Sequence, residues 1–258
     1  LMSRGGNASN SAVVLAQLGH RCAWAGCLAD DANSEVIRTD LEFYGVDASA
    51  ALCVAGGLTP TSYVTLNQKN GSRTIVHYRD LPEYSFENFQ QIDLSQFDWL
   101  HFEGRNVVET RAMLDHAKRC NSKFAISVEI EKSRPEIESL CAGADLLLYS
   151  RGYAQQRGGA VERDPANFLQ AQHRALPTCE HPCTWGDKGA WGIDRSGELF
   201  HSVALPVSRV VDTLAAGDTF NAGMIHGRLA DLALQESLAE ACRLAGEKCA
   251  QQGLRGLR

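Results

Sequence analysis

Nothing in the 258-residue chain looks like a route into a membrane. No apolar run approaches the ~18 residues of a spanning helix, and the first residues do not resemble a secretory leader. Charge of one sign is nowhere concentrated. The 25 basic and 31 acidic residues are dispersed and leave a net charge of −6, which argues against nucleic acid or an anionic bilayer as the main partner. Internal repeats, low-complexity tracts and linker-like segments are absent. Nine cysteines, an odd number, are scattered along a chain large enough to bury a core without covalent staples. They are expected to be reduced thiols in a cytoplasmic protein. Cys179 and Cys183 have no second pair at a zinc-site spacing, so no metal site is expected there.

The common catalytic signatures are missing as well. There is no Gly-x-x-x-x-Gly-Lys-Ser/Thr run, no kinase-type glycine loop, no His-Glu-x-x-His and no Gly-x-Ser-x-Gly. Any bound phosphate must therefore be held by backbone amides and scattered cations.

What is present is an alternation of helical and extended patterns in a chain that is 44% apolar and 22% charged, ordinary values for a globular protein. Helical spacing runs over 7–18, from Ser34 to Gly45, and over 108–118, 135–141 and 234–252. Short apolar strands fall at 22–28, 99–102, 123–129, 145–149, 183–185, 190–193 and 198–205. That rhythm predicts an α/β protein with a mostly parallel sheet, whose ligands bind beyond the carboxyl ends of its strands. One segment breaks the rhythm. Residues 61–66 and 73–77 are β-rich and flank Asn70-Gly71, a strong hairpin signal. An inserted hairpin of this kind suggests a lid or an oligomer surface.

The most informative stretch is Arg209-Val-Val-Asp-Thr-Leu-Ala-Ala-Gly-Asp-Thr-Phe-Asn-Ala222. It reads as extended chain, a small-residue turn at Ala215, Ala216 and Gly217, and the start of a helix. Amides at a helix start favour negative charge, and bare backbone beside them forms an anion nest. Asp218 stands at that mouth. A carboxylate there can take a proton from an attacking hydroxyl, or it can simply cap the helix.

Asp212-Thr-x-x-Ala-Gly-Asp218 resembles the signature Asp-Thr-x-Gly-Ala-Gly-Asp of the ribokinase-like (pfkB) carbohydrate kinases, with Ala215 in place of the first glycine. If that position needs positive φ, Ala215 is strained; if it needs only close approach, a methyl is tolerated. Gly5-Gly-Asn-Ala-Ser-Asn10, Asn70-Gly-Ser-Arg-Thr-Ile75 and Glu103-Gly-Arg-Asn106 narrow the resemblance to the ketohexokinase (fructokinase) branch. Ser150-Arg-Gly-Tyr153 lacks the Asn-x-x-Glu motif of other members, as that branch does.

The resemblance implies one kinase domain over residues 1–258, a ribokinase-like three-layer α/β/α sandwich with a small β-sheet lid at about 1–6 and 56–80. It also implies a strand before Leu1, so the sequence looks like a fragment. The implied reaction is ATP-dependent phosphorylation of a ketohexose such as fructose at its 1-hydroxyl. Asp218 would be the base, with the amides of Ala215, Ala216 and Gly217 holding charge. Gly6, Asn7, Asn10 and Asp218 would bind sugar. Arg73, Gly186, Asp187, Lys188, Gly189, Cys249 and the 215–217 turn would bind the nucleotide. ATP, Mg2+ and a monovalent cation such as K+ are the implied cofactors, with no protein metal ligands named. A homodimer through the lid is the implied assembly. The alternatives are another sugar or nucleoside kinase of the same family, or a non-catalytic relative that binds sugar or nucleotide.

Overall fold

A computed structural model describes residues 2–66, 73–120, 123–157 and 164–258. A six-stranded sheet forms its centre. It comprises β5 (Trp99–Glu103), β6 (Ala125–Ile130), β7 (Leu146–Tyr149), β8 (His181–Thr184), β9 (Ala190–Ile193) and β10 (Leu199–Ser202). Strands β5 to β8 are parallel, whereas β9 and β10 are antiparallel additions at one edge.

The strand residues alternate between two cores, as the pleat requires. On one face Leu147 and Tyr149 pack with Met113 and Leu114 of α4 (Val107–Arg119), Tyr153 of α5 (Arg151–Arg157) and Phe168 of α6 (Pro165–Ala175). On the other, Leu146 and Leu148 meet Phe220 and Met224 of α7 (Ala216–Leu229) and Leu238 and Ala241 of α8 (Leu234–Cys249). Each fully buried Leu contributes about 1.5–3 kcal/mol, so two opposed apolar faces explain why this sheet is covered on both sides. Helix α7 lies very close to α8. A Cβ at Gly223 would stand 2.6 Å from the Ala241 backbone, so glycine is what permits the approach.

The first quarter of the chain forms α1 (Asn7–Gln17), β1 (Cys27–Ala29), α2 (Ala32–Phe43) and β2 (Leu52–Val54). Strands β1 and β2 make a separate parallel pair, and α1 docks on α7 through Val14, Ala222 and Leu257. Strands β3 (Thr61–Leu66) and β4 (Arg73–Tyr78) form a third, antiparallel sheet. Their expected turn at Asn70-Gly71 and the side chain of Arg73 lie outside the described residues. A short helix, α3 (Phe86–Phe89), leads back to the main sheet.

The sequence pattern and the structure differ in several places, three of which have a plain local cause. The strand expected over 22–28 is confined to Cys27–Ala29, because Ala23 makes only an isolated bridge to Asp47. The helix expected over 135–141 is a 3-10 segment, Ile137–Gly143, entered through Glu136 in a left-handed conformation. Helix α2 begins at Ala32, two residues before the expected Ser34, because Asp31 caps it and accepts from the Ser34 amide at 2.8 Å. The Ser34 hydroxyl instead accepts from the Ala29 amide, which ties β1 to that helix start.

Candidate active site

Two helix starts and two strand ends converge. Strands β5 and β6 run parallel, so Glu103 and Glu129 reach the same edge of the sheet as paired residues. Gly104 allows the ends to close up. Its amide bonds the Glu129 carbonyl at 2.9 Å, and a Cβ would stand 2.6 Å from that oxygen. Glu103 accepts from the Ala8 amide at 2.7 Å. A carboxylate thus faces the first turn of α1, where the helix dipole favours negative charge.

Asn7 does not cap α1. The cap is Gly6, at φ 104° and ψ 129°, and the Asn7 amide donates to Glu129 at 2.9 Å. The other oxygen of Glu129 accepts from Asn221 on α7 at 3.0 Å. Asn10 donates to Asp218 Oδ2 at 2.6 Å. Its carbonyl oxygen accepts from Arg4 at 2.7 Å. A guanidinium can only donate, so this contact orients the Asn10 amide toward the carboxylate. Arg4 is itself buried and anchored to Asp40 at 2.7 Å.

The capping reading of Asp218 fails here. The N-cap of α7 is Ala215, and Asp218 is the third residue of the helix. Ala215 adopts φ 62° and ψ 12°, so the position does demand a left-handed residue. A methyl group in that region costs about 1–2 kcal/mol. Ala215→Gly is therefore expected to stabilise the protein by about 1 kcal/mol, seen as a melting temperature higher by about 2–4 °C. An unchanged melting temperature would show that the turn carries no strain. No side chain caps the first turn of α7, and a Cβ at Gly217 would meet no atom within 4 Å. First-turn amides with open space beside them fit an anionic group such as phosphate.

Electrostatics separate this cluster from surface carboxylates. Burial is the main force raising Asp218, helped by the charges of Glu103 and Glu131 and opposed by the Asn10 bond and Arg4. Its carboxyl is pushed up to about 7. Glu129 is also raised, first by burial and then by the Asp218 charge, against the Asn7 bond. The two carboxyls titrate as a pair, so near neutral pH the cluster keeps protons that exposed carboxylates would have lost.

The profile of the pfkB family carbohydrate kinases matches residues 2–257. The chain belongs to that family. It is 39% identical to mouse ketohexokinase over 261 aligned residues, covering 98% of this chain and 87% of that protein. Among solved structures it resembles a putative ribokinase from Agrobacterium tumefaciens, with a TM-score of 0.84, 21% identity, and coverage of 98% of this chain and 82% of the other. It also resembles the fructokinase from Vibrio cholerae O395 bound to fructose, ADP and calcium ion, with a TM-score of 0.78, 20% identity, and coverage of 100% and 88%. The ribokinase fold is thereby the fold of this chain, and its activity is that of a carbohydrate kinase.

In this pfkB kinase the residues expected at the sugar, Gly6, Asn7, Asn10 and Asp218, do come together. Residues 186–189 form a different turn, between β8 and β9. Gly186 and Gly189 take φ 67° and 86°. A Cβ at Gly189 would stand 2.0 Å from the Ser202 carbonyl, so that glycine serves close packing on β10. Asp187 and Lys188 are exposed on that turn. Cys249 lies at the end of α8, where its carbonyl accepts from the amides of Val211 and Asp212 at 2.8 and 3.2 Å. It is thereby joined to the 212–218 segment by backbone. Ser150 caps α5, its hydroxyl accepting from Tyr153 at 3.0 Å. Sequence reasoning missed Arg4, Glu129 and Asn221. The available signal for Glu129 was a charged residue between Val128 and Ile130 in a strand that is otherwise buried.

Proposed function

We propose that this pfkB kinase transfers the γ-phosphoryl group of ATP to the 1-hydroxyl of a ketohexose such as fructose. One observation carries the reading: a buried carboxyl, Asp218, is held near neutrality between the Asn10 amide and the open first turn of α7. The likeness to mouse ketohexokinase supports the choice of sugar.

Phosphoryl transfer asks little covalent chemistry of a protein. Asn7 and Asn10 each present an amide at the start of α1, a group that can donate to and accept from a polyol. Arg4 and Glu129 hold those amides in orientation. Asp218 accepts the proton of the attacking hydroxyl. An oxygen–phosphorus bond then forms to the sugar, and the bond from the γ-phosphorus to the bridging oxygen of ADP breaks. The amides of Ala216, Gly217 and Asp218 face the charge that develops. ATP supplies the phosphoryl group, and Mg2+ bound to its oxygens would neutralise them. Arg73, Asp187, Lys188 and the region of Cys249 are assigned to the nucleotide side. The decisive test is ADP release with fructose, ribose, adenosine and fructose 6-phosphate as acceptors. Fructose should give the highest kcat/KM, with phosphate found on O1. Preference for ribose or adenosine would redirect the assignment within the family, and ATP binding without transfer would make the chain a sensor.

Residues 56–80 are assigned to a lid that also pairs two copies. A two-stranded sheet is marginal alone, and this one exposes Tyr63, Ile75, Val76 and Tyr78 by half or more. Covering those side chains with a second copy would remove them from water. Sedimentation should show a dimer, and Val76→Lys should shift it to monomer. A monomeric wild-type protein at micromolar concentration would defeat the assignment. The odd count of nine cysteines suits a reducing compartment such as the cytoplasm. Among the described residues no helix is long and apolar enough to cross a membrane.

A further inference from the structure

Lys248 is the one lysine among the buried polar and charged residues described, with only 1% of its surface exposed. It sits near the end of α8. Its ammonium group is enclosed by oxygen. Nζ donates to the Asp212 carbonyl at 3.0 Å, to Asp212 Oδ2 at 2.9 Å and to the Gln251 carbonyl at 3.5 Å. The same Asp212 carboxylate is fixed by two amides. Leu214 donates to Oδ1 at 2.9 Å, and Gly253 to Oδ2 at 3.3 Å. The Val211 and Asp212 amides in turn bond the Cys249 carbonyl.

These bonds tie the end of α8 to Asp212, three residues before the left-handed Ala215 and six before Asp218. A strained turn persists only where its surroundings over-determine it, and these bonds anchor the chain on its N-terminal side, as those of Asn10 and Ser11 to Asp218 do on the other. The charge matters as much as the anchorage. Asp212 carries a negative charge on the segment that leads into the anion-binding turn. Unopposed, that charge would repel a phosphoryl group. A buried charge is tolerated only when paired and hydrogen-bonded, and Lys248 meets both conditions.

Two carbonyl oxygens and a carboxylate oxygen around one cationic centre also resemble the surroundings of a monovalent cation. Ammonium and potassium are of similar size and are bound by similar oxygen sets. Here the centre is filled by a side chain of the protein itself, so this cage does not fit an added K+. We propose that Lys248 is the resident cation of the 212–218 turn: a positioning residue that holds the anion-binding turn in shape, neutralises Asp212 and makes transfer independent of added K+ at this cage. The proposal rests on the kinase reading given above.

The test uses the full chain. Wild-type kcat should agree within about twofold in potassium, sodium, ammonium and tetramethylammonium chloride at equal ionic strength. Lys248→Ala, which empties the cage, should lose about tenfold or more in kcat, with the KM for sugar little changed, as expected when charge stabilisation is lost. Its melting temperature and its rate should then rise with added K+ or ammonium and not with tetramethylammonium. Lys248→Met, which keeps the stem and fills the space, should lose rate without that recovery. Several-fold activation of the wild type by K+ would overturn the proposal, and so would a Lys248→Ala variant with wild-type kcat. Failure of K+ and ammonium to restore either its stability or its rate would do the same. If the wild type transfers no phosphate at all, the kinase reading falls. The cation-specific shift in the melting temperature of Lys248→Ala still decides the cage.

Discussion

Asp218→Asn is expected to lower kcat by about 10²–10⁴-fold, the usual contribution of a positioned base. The replacement is nearly isosteric, and its amide oxygen can still accept from Asn10, so the cluster should stay assembled. ATP affinity should therefore be close to wild type, because the amides ahead of Asp218 are untouched. Two further readouts separate a base from a structural carboxyl. In the wild type, kcat/KM should rise with pH through about 7, where the raised Asp218 carboxyl gives up its proton; the variant should lose this rise. Stability should move in the other direction. A carboxyl whose folded-state pKa lies above its unfolded value favours folding fully only below the unfolded value, and that contribution is lost as pH rises through the folded one. The wild type should thus lose melting temperature between about pH 4 and pH 7 relative to Asp218→Asn, which carries no such group. Near-normal turnover in the variant would refute the assignment of the base.

Glu129→Gln should raise the KM for sugar by about 10–100-fold, with the KM for ATP little affected. Each carboxyl oxygen of Glu129 accepts from one buried amide, Asn7 at 2.9 Å and Asn221 at 3.0 Å. Glutamine offers one acceptor and one donor, so one of the two amides must turn away or lose its partner. A typical hydrogen bond is worth about 0.5–1.5 kcal/mol, but an unpaired buried donor costs about 1–3. Asn7 stands where the sugar is proposed to bind, whereas Asn221 lies one helical turn into α7. If Asn7 is the group released, sugar binding suffers first. If both KM values rise together, Glu129 supports the whole cleft and not the sugar side alone.

Much of this was legible because it was periodic or locally punctuated. The strands at 99–103, 146–149 and 190–193 announced themselves by short apolar runs, and α8 by its stripe of Leu234, Leu238, Ala241 and Cys242. Asp218 could be picked out because it follows a small-residue turn that opens a helix, and Asn10 because Gly5-Gly-Asn-Ala-Ser-Asn10 resembles a motif of the family. The partners of these residues were not legible, for a physical reason. Glu129 and Lys248 look like the polar members of a strand and a helix, and only tertiary contact shows that both are buried. Lys248 had a faint signal, since it continues the buried face of α8 one turn beyond Leu244. Arg4 had none: it belongs to an irregular segment whose conformation is set by Asp40, Ser9 and Asn10. The 3-10 form of 137–143 was equally invisible, because seven residues are too few for the apolar spacing to distinguish the two helical pitches.

The bond between Asn10 and Asp218 joins positions 208 residues apart. Emerging from a ribosome at about 5–20 residues per second, the asparagine waits about 10–40 seconds for its carboxylate to be synthesised. Most of the six-stranded sheet is available before that moment, but the pair proposed to carry the chemistry is not. No nascent intermediate can consume ATP on a sugar by this route, and a chain cleaved anywhere between those ends keeps its activity only while the pieces remain docked.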